Sequence, residues 1–194
     1  MRYKDRIVSL GFMAIPGVDY TEKFSPVLTD ASTRILITLY LHLKKTQPEK
    51  KWVLWLVDYE AAFLNAELDE EAKLFIEYPD GMVELGYMTE EEVKTHVAKL
   101  NTSMYGNVDT SLRWNITVTK YKEDQMNMQR CLTDPCIIFK KWNNDTELIT
   151  GMNVDDTIVV ATEERALWYT SEVSKRFNIT IQKEMKKHLG VDYD

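Results

Sequence analysis

The run Lys51 to Asp58 (KWVLWLVD) is apolar through its length and stops at a carboxylate. It is too short for a stable helix. Apolar residues occupy both of its alternating faces, the pattern of a strand buried inside a sheet. An aspartate closing such a strand must be solvated, paired or bound to a cation. A second constraint lies far along the chain. Asp155 and Asp156 are adjacent, between the apolar runs Leu148 to Met152 and Ile158 to Val160. Neighbouring carboxylates inside a β-hairpin repel each other and favour no packing. Either a tight turn exposes both to water, or a cation sits between them and a third carboxylate.

The remaining pattern predicts one mixed domain. Ile15-Pro16-Gly17 marks a turn. Thr29 or Asp30 caps a helix running through Ile35, Leu36, Leu39, Tyr40 and Leu43. Lys73 to Tyr78 reads as a second strand, stopped by Pro79-Asp80-Gly81. Thr89 with Glu92 forms a capping box, which predicts a helix over Glu90 to Leu100. Ser111 to Asp124 reads as another helix. Cys136 to Trp142 and Glu147 to Val154 read as strands joined by an Asn143-Asn144-Asp145 turn. Thr157 to Ala161 is a further strand, Glu163 to Phe177 a helix, and Asn178 to Gln182 a last strand. The expected class is α+β, an antiparallel sheet with helices packed on one face.

Composition excludes several classes. The 194 residues are 44% hydrophobic, which argues against general disorder. A formal net charge of −7 argues against coating nucleic acid by bulk charge, while leaving room for a local basic strip. Cys131 and Cys136 form no C-x-x-C pair, no histidine follows at zinc-ligand spacing, and they read as reduced thiols. No signal peptide and no stretch of membrane-spanning length is visible, so an intracellular protein without membrane partners is expected.

The local words around the carboxylates are more specific. Asp58 to Asn65 (DYEAAFLN) resembles the first catalytic motif of copia-type retrotransposon reverse transcriptases, commonly D-V-K-T-A-F-L-N-G. Leu74 to Gly81 resembles their M-x-Q-P-x-G-F stretch, and Leu100 to Gly106 their L-x-K-A-L-Y-G. Trp114 falls where that family has a tryptophan. Asp134-Pro135-Cys136 resembles the D-P-C ahead of the catalytic hairpin. Asn153-Val154-Asp155-Asp156 matches Y-V-D-D except at its first residue. Val18-Asp19-Tyr20, Phe24 to Val27, Arg176-Phe177 and Leu189 to Val191 resemble further family words. The words occur in the family's order, from about Lys4 to Tyr193.

The resemblance implies a right-hand polymerase fingers/palm fold. Residues 1–50 and 73–105 would be fingers-like, and 51–72 and 106–194 palm. Thumb, connection and RNase H portions are expected to be absent from this chain. It also implies RNA-directed DNA polymerisation on a primed RNA or DNA template with dNTPs as substrates. Such nucleotidyl transfer uses two Mg²⁺ ions, with Mn²⁺ as a substitute, held by oxygen ligands. Asp58, Asp155 and Asp156 would be the catalytic metal ligands, joined by the Tyr59 backbone carbonyl. Phe63 would be a steric gate against a ribose 2′-hydroxyl. Lys4 and Arg6, in a fingers strand, would face the triphosphate, and Gly106 would let the backbone approach nucleotide or template. A cytoplasmic particle or the nucleus would be the location.

Three positions depart from the pattern. Asn153 replaces the signature tyrosine, Asn107 to Arg113 lacks the usual lysine, glutamine and proline, and Leu10 stands where arginine is common. The second reading is therefore an inactive or truncated remnant of the same fold, binding at most nucleic acid or a partner. A nucleotide cyclase is disfavoured by the absence of glycines at the acidic turn. A purely structural module is the blandest alternative.

Overall fold

The computed structural model describes residues 6–68, 74–185, 187–188 and 191–192. Its centre is a six-stranded, wholly antiparallel sheet in the order β4-β5-β6-β7-β1-β8. The strands are β1 (Trp52–Tyr59), β4 (Gln129–Arg130), β5 (Ile137–Trp142), β6 (Asp145–Asn153), β7 (Asp156–Thr162) and β8 (Ile179–Gln182). Two small ribbons pair β2 (Phe75–Ile76) with β3 (Ala98–Lys99) and β9 (Lys187–His188) with β10 (Val191–Asp192). The helices are α1 (Asp30–Thr46), α2 (Glu90–Thr95), α3 (Thr110–Asp124) and α4 (Glu163–Ser174).

The helices cover both faces of the sheet rather than the single face expected from sequence. On one face Trp55, Val57, Tyr59, Val159 and Ala161 pack with Trp114 and Val118 of α3 and Ala166, Tyr169 and Val173 of α4. On the other, Trp52, Leu54, Leu56, Ile158 and Val160 meet Leu36, Ile37, Tyr40 and Leu43 of α1. The reason lies in β1 and β7, which are apolar at odd and even positions alike. Leaving either face wet would forgo about 1.5–3 kcal/mol for each large side chain exposed. Gly151 of β6 fits this packing, because a Cβ there would lie 2.5 Å from Leu36 Cδ1.

Local signals are realised closely at α1, where the Thr29 side chain accepts from the Ser32 amide. The Thr89–Glu92 capping box is present in full. Its helix, however, ends at Thr95 rather than Leu100. There the Thr95 hydroxyl donates to the Glu91 carbonyl, 2.7 Å away, and the His96 ring meets the Glu92 carbonyl. The backbone then turns extended and Ala98–Lys99 pairs with Phe75–Ile76. Of the described residues of the second predicted strand, Phe75–Ile76 form β2, and Lys73 lies outside the described residues. Residues 6–10 form no strand, contrary to the fingers strand expected there. They are held instead by single bonds such as Ser9 N–H to the Tyr105 carbonyl, 2.8 Å.

Candidate active site

Strand register brings two distant carboxylates together. β1 and β7 align Asp58 opposite Asp156, just past the apolar pairs Leu54↔Val160 and Leu56↔Ile158. Directly opposed residues share a face of the sheet. Both aspartates therefore extend the α1-side face beyond its apolar layer. Asp155 lies one residue away, in a two-residue turn whose flanks, Asn153 and Asp156, pair with each other. Asp58 and Asp155 are exposed, and Asp156 is half-buried.

The electrostatics follow from this proximity. The Asp156 carboxyl is pushed up to about 6, first by burial, then by the charges of Asp155 and Asp58 and a hydrogen bond to Asp58. Among the described residues, no three carboxylate, histidine or cysteine side chains are preassembled at metal-ligand distances. Mutual repulsion among three carboxylates opposes such preassembly. The donor set nevertheless fits a hard divalent cation. It is all oxygen, carries negative charge, and lies where a strand end meets a turn.

The turn itself is strained. Val154 has φ +55°, the left-handed region that a β-branched residue rarely enters and that costs about 1–3 kcal/mol. Asp155 is outside that region, so the φ signs are those of a type II′ turn, which favours glycine first. Two bonds hold it. The Trp114 indole N–H donates to the Val154 carbonyl at 2.7 Å, and the Tyr59 amide donates to the Asp155 carbonyl at 3.0 Å. The Tyr59 side chain points into the core, where its hydroxyl and that of Tyr169 lie 3.0 Å apart. Burial raises the Tyr59 hydroxyl to about 12.

The DYEAAFLN segment folds into a turn and a 3-10 helix over Ala62–Asn65. Ala61 has φ +53°. The Asn65 amide donates to the carbonyls of Glu60 and Ala61, which fixes the loop. Phe63 is half-buried, its ring centroid 5.4 Å from that of Tyr105. The Arg6 guanidinium lies over the other partner of that contact, 5.4 Å from the Tyr105 centroid. Arg6, Tyr105 and Phe63 thus form one chain of contacts, with Gly106 beside it. Gly106 has φ +94°, and a Cβ there would come within 2.2 Å of the Ser9 carbonyl oxygen. What presses on it here is the chain's own backbone. Lys4 lies outside the described residues.

Several features escaped the sequence reading. The Trp114 bond to the turn is one; its only signal was a tryptophan at family spacing. Lys122 on α3 is another. Its ammonium has no hydrogen-bond partner among the described residues, is fully buried, and lies 5.7 and 5.6 Å from the ring centroids of Tyr59 and Tyr169. Burial lowers it to about 7. The unusual Asn107 to Arg113 segment has structural work: Asn107 accepts from the Ser9 hydroxyl at 2.5 Å, and Asp109 pairs with Arg113. A cleft of about 480 Å³ lies between residues 7–14 and residues 74–79, and none of the three aspartates lines it.

A profile of the family described as reverse transcriptase (RNA-dependent DNA polymerase) matches residues 1–194, the whole chain. The chain belongs to the reverse transcriptase family. The relatives of this reverse transcriptase chain include the retrovirus-related Pol polyprotein from transposon TNT 1-94 of Nicotiana tabacum, 29% identical over 92% of this chain and 12% of the relative. Those from transposons RE1 and RE2 of Arabidopsis thaliana are 23% and 24% identical over 98% of this chain. The chain spans 12% of the length of each of these relatives. These transposon Pol relatives bear out the copia-type resemblance. Among the described residues no helix is long and apolar enough to cross a membrane.

Proposed function

We propose that this chain is the fingers/palm portion of a retrotransposon RNA-directed DNA polymerase. It would extend a primer 3′-hydroxyl with dNTPs on an RNA or DNA template. Residues 1–50 and 73–105 would serve as fingers and 51–72 and 106–194 as palm, working inside a cell in a particle or the nucleus. The observation that carries this reading is the Asp58↔Asp156 register, with Asp155 adjacent in the turn.

In this reading Asp58, Asp155, Asp156 and the Tyr59 carbonyl hold divalent cations, Mg²⁺ or in its place Mn²⁺. Bound there, such ions stabilise charge on the attacking and leaving oxygens. The chain's own residues orient the reactants. Phe63, held against Tyr105 on the helical turn after Asp58, is suited to exclude a ribose 2′-hydroxyl. Arg6, and Lys4 by analogy, supply positive charge toward a triphosphate. Gly106 keeps the neighbouring backbone free of side-chain bulk.

A second reading has its own support. Asn153 replaces the signature tyrosine, and Lys122 places in the core an ammonium with no hydrogen-bond partner among the described residues. Both suit a remnant that retains the fold without the activity.

Primer extension on oligo(dT)–poly(rA) with Mg²⁺ and then Mn²⁺ separates the two. The test pairs the unchanged chain with an Asp155→Ala, Asp156→Ala double variant. Extension that vanishes in the variant is the expected result. A folded chain that extends nothing, or a variant that extends as well, overturns the catalytic reading.

A further inference from the structure

The Val154-Asp155 turn cannot owe its shape to its own residues. A valine at φ +55° is disfavoured locally, so something outside the turn must hold it. The Trp114 indole does so from α3, 40 residues away in sequence, through its 2.7 Å bond to the Val154 carbonyl. The indole has no freedom to swing. Trp114 is fully buried, and Tyr59 and Phe177 meet it edge-on at centroid distances of 5.2 and 5.3 Å. Phe177 is itself wedged against Tyr59 and Tyr121.

We propose that Trp114 is a positioning residue for the acidic turn: its indole N–H fixes the Val154 carbonyl and so sets the direction in which Asp155 and Asp156 present their carboxylates to a divalent cation. The inference rests on the proposed metal-binding role of those aspartates. Removing the N–H takes the partner from a part-buried carbonyl and leaves the Tyr59–Asp155 bond alone to oppose the strain at Val154. The turn then relaxes, and the two carboxylates lose their shared orientation. The ring cage does not depend on the N–H, so packing and orientation can be separated.

Two readouts independent of catalysis test this. In the first, Mn²⁺ binding is measured by paramagnetic resonance on the unchanged chain, Trp114→Phe, Val154→Gly and the double variant. Trp114→Phe should weaken Mn²⁺ by about tenfold, the scale for losing a group that orients a metal ligand. Adding Val154→Gly should recover most of that loss, because glycine takes positive φ without strain. A purely structural role for Trp114 predicts no such rescue. In the second, the indole N–H resonance of Trp114 is followed in the unchanged protein during Mg²⁺ titration. It should move with metal and stay still in Asp155→Asn, which keeps the test intact should Trp114→Phe fail to fold. Mn²⁺ binding unchanged in Trp114→Phe, or an indole resonance that stays fixed while the Asp155 and Asp156 amides move, overturns this inference alone. A chain that binds no Mn²⁺ at all overturns the metal-site reading and this inference together.

Discussion

Strand β6 is closed at its two ends by turns of the same length and opposite character. At one end Asn143 and Asn144 connect β5 to β6, with φ of +49° and +69°. Both central residues are left-handed, as a type I′ turn requires, and asparagine tolerates that region. At the other end Val154 and Asp155 connect β6 to β7, with a β-branched residue at φ +55° and adjoining carboxylates. The first turn is specified by its own residues. The second is imposed by Trp114 and Tyr59 and carries the candidate chemistry. A local rule broken beside adjoining carboxylates marks a candidate site.

The contrast extends into the core behind the acidic turn, and the largest expected effect on stability lies there. Lys122, beside Tyr59, is held at about 7 against an ordinary 10.5. The unfolded chain keeps that proton up to 10.5 while the folded chain sheds it from about 7. Stability should therefore rise with pH across this window, until the raised tyrosines reverse the trend above pH 10. Lys122→Met removes the buried ammonium and should stabilise by roughly 3–5 kcal/mol at pH 7, with the rise abolished. Urea denaturation at pH 7 and pH 9 measures both. An unchanged midpoint at pH 7 would mean the ammonium has a partner and that the layer behind the turn is not off-optimum.

A smaller effect comes from the carboxylates. Asp156 is raised from 3.8 to about 6, so the folded state binds more protons between those values and metal-free stability falls as pH rises from about 4 to 6. Asp156 is part-exposed, so the loss is discounted to about 1 kcal/mol, or about 2–4 °C in melting temperature. Asp156→Asn should raise the metal-free melting temperature at pH 7 by that amount and flatten the slope. A variant that melts lower would contradict the repulsion.

The smallest effects compare the turns directly. Val154→Gly should stabilise the metal-free chain by about 0.5–1 kcal/mol by relieving the positive φ. Asn144→Ala should destabilise by about 1 kcal/mol, since alanine tolerates that φ less well. Thermal melts of the two variants should move in opposite directions. Movement in the same direction would erase the distinction between an imposed turn and a self-specified one.

How much of this was legible depends on where each determinant lies. The caps at Thr29 and at Thr89–Glu92, the Asn143-Asn144 turn and the strand carrying Asp58, which runs one residue further to Tyr59, were readable because neighbours in sequence decide them. The shortening of α2 was not, because the pairing of Ala98–Lys99 with Phe75–Ile76 competes for the chain. The second helical layer was missed although β1 and β7 carried the signal, apolar residues on both faces. Residues 6–10 form no strand because their backbone meets Tyr105 in a single bond rather than a ladder. For the candidate site, the three aspartates stood out in the sequence. The opposition of Asp58 to Asp156, the strain at Val154, the Trp114 bond and the burial of Lys122 against the Tyr59 and Tyr169 rings are tertiary facts that no local word encodes.

The central claim is that Asp58 and the acidic turn act as one cation site although 97 residues separate Asp58 from Asp155. Calorimetric titration of Mn²⁺ into the folded chain and into Asp58→Asn addresses it. The account predicts saturable binding in the unchanged chain and its loss, by about tenfold or more, in Asp58→Asn. Equal binding in both would show that Asp58 stands apart from the turn and would contradict the account.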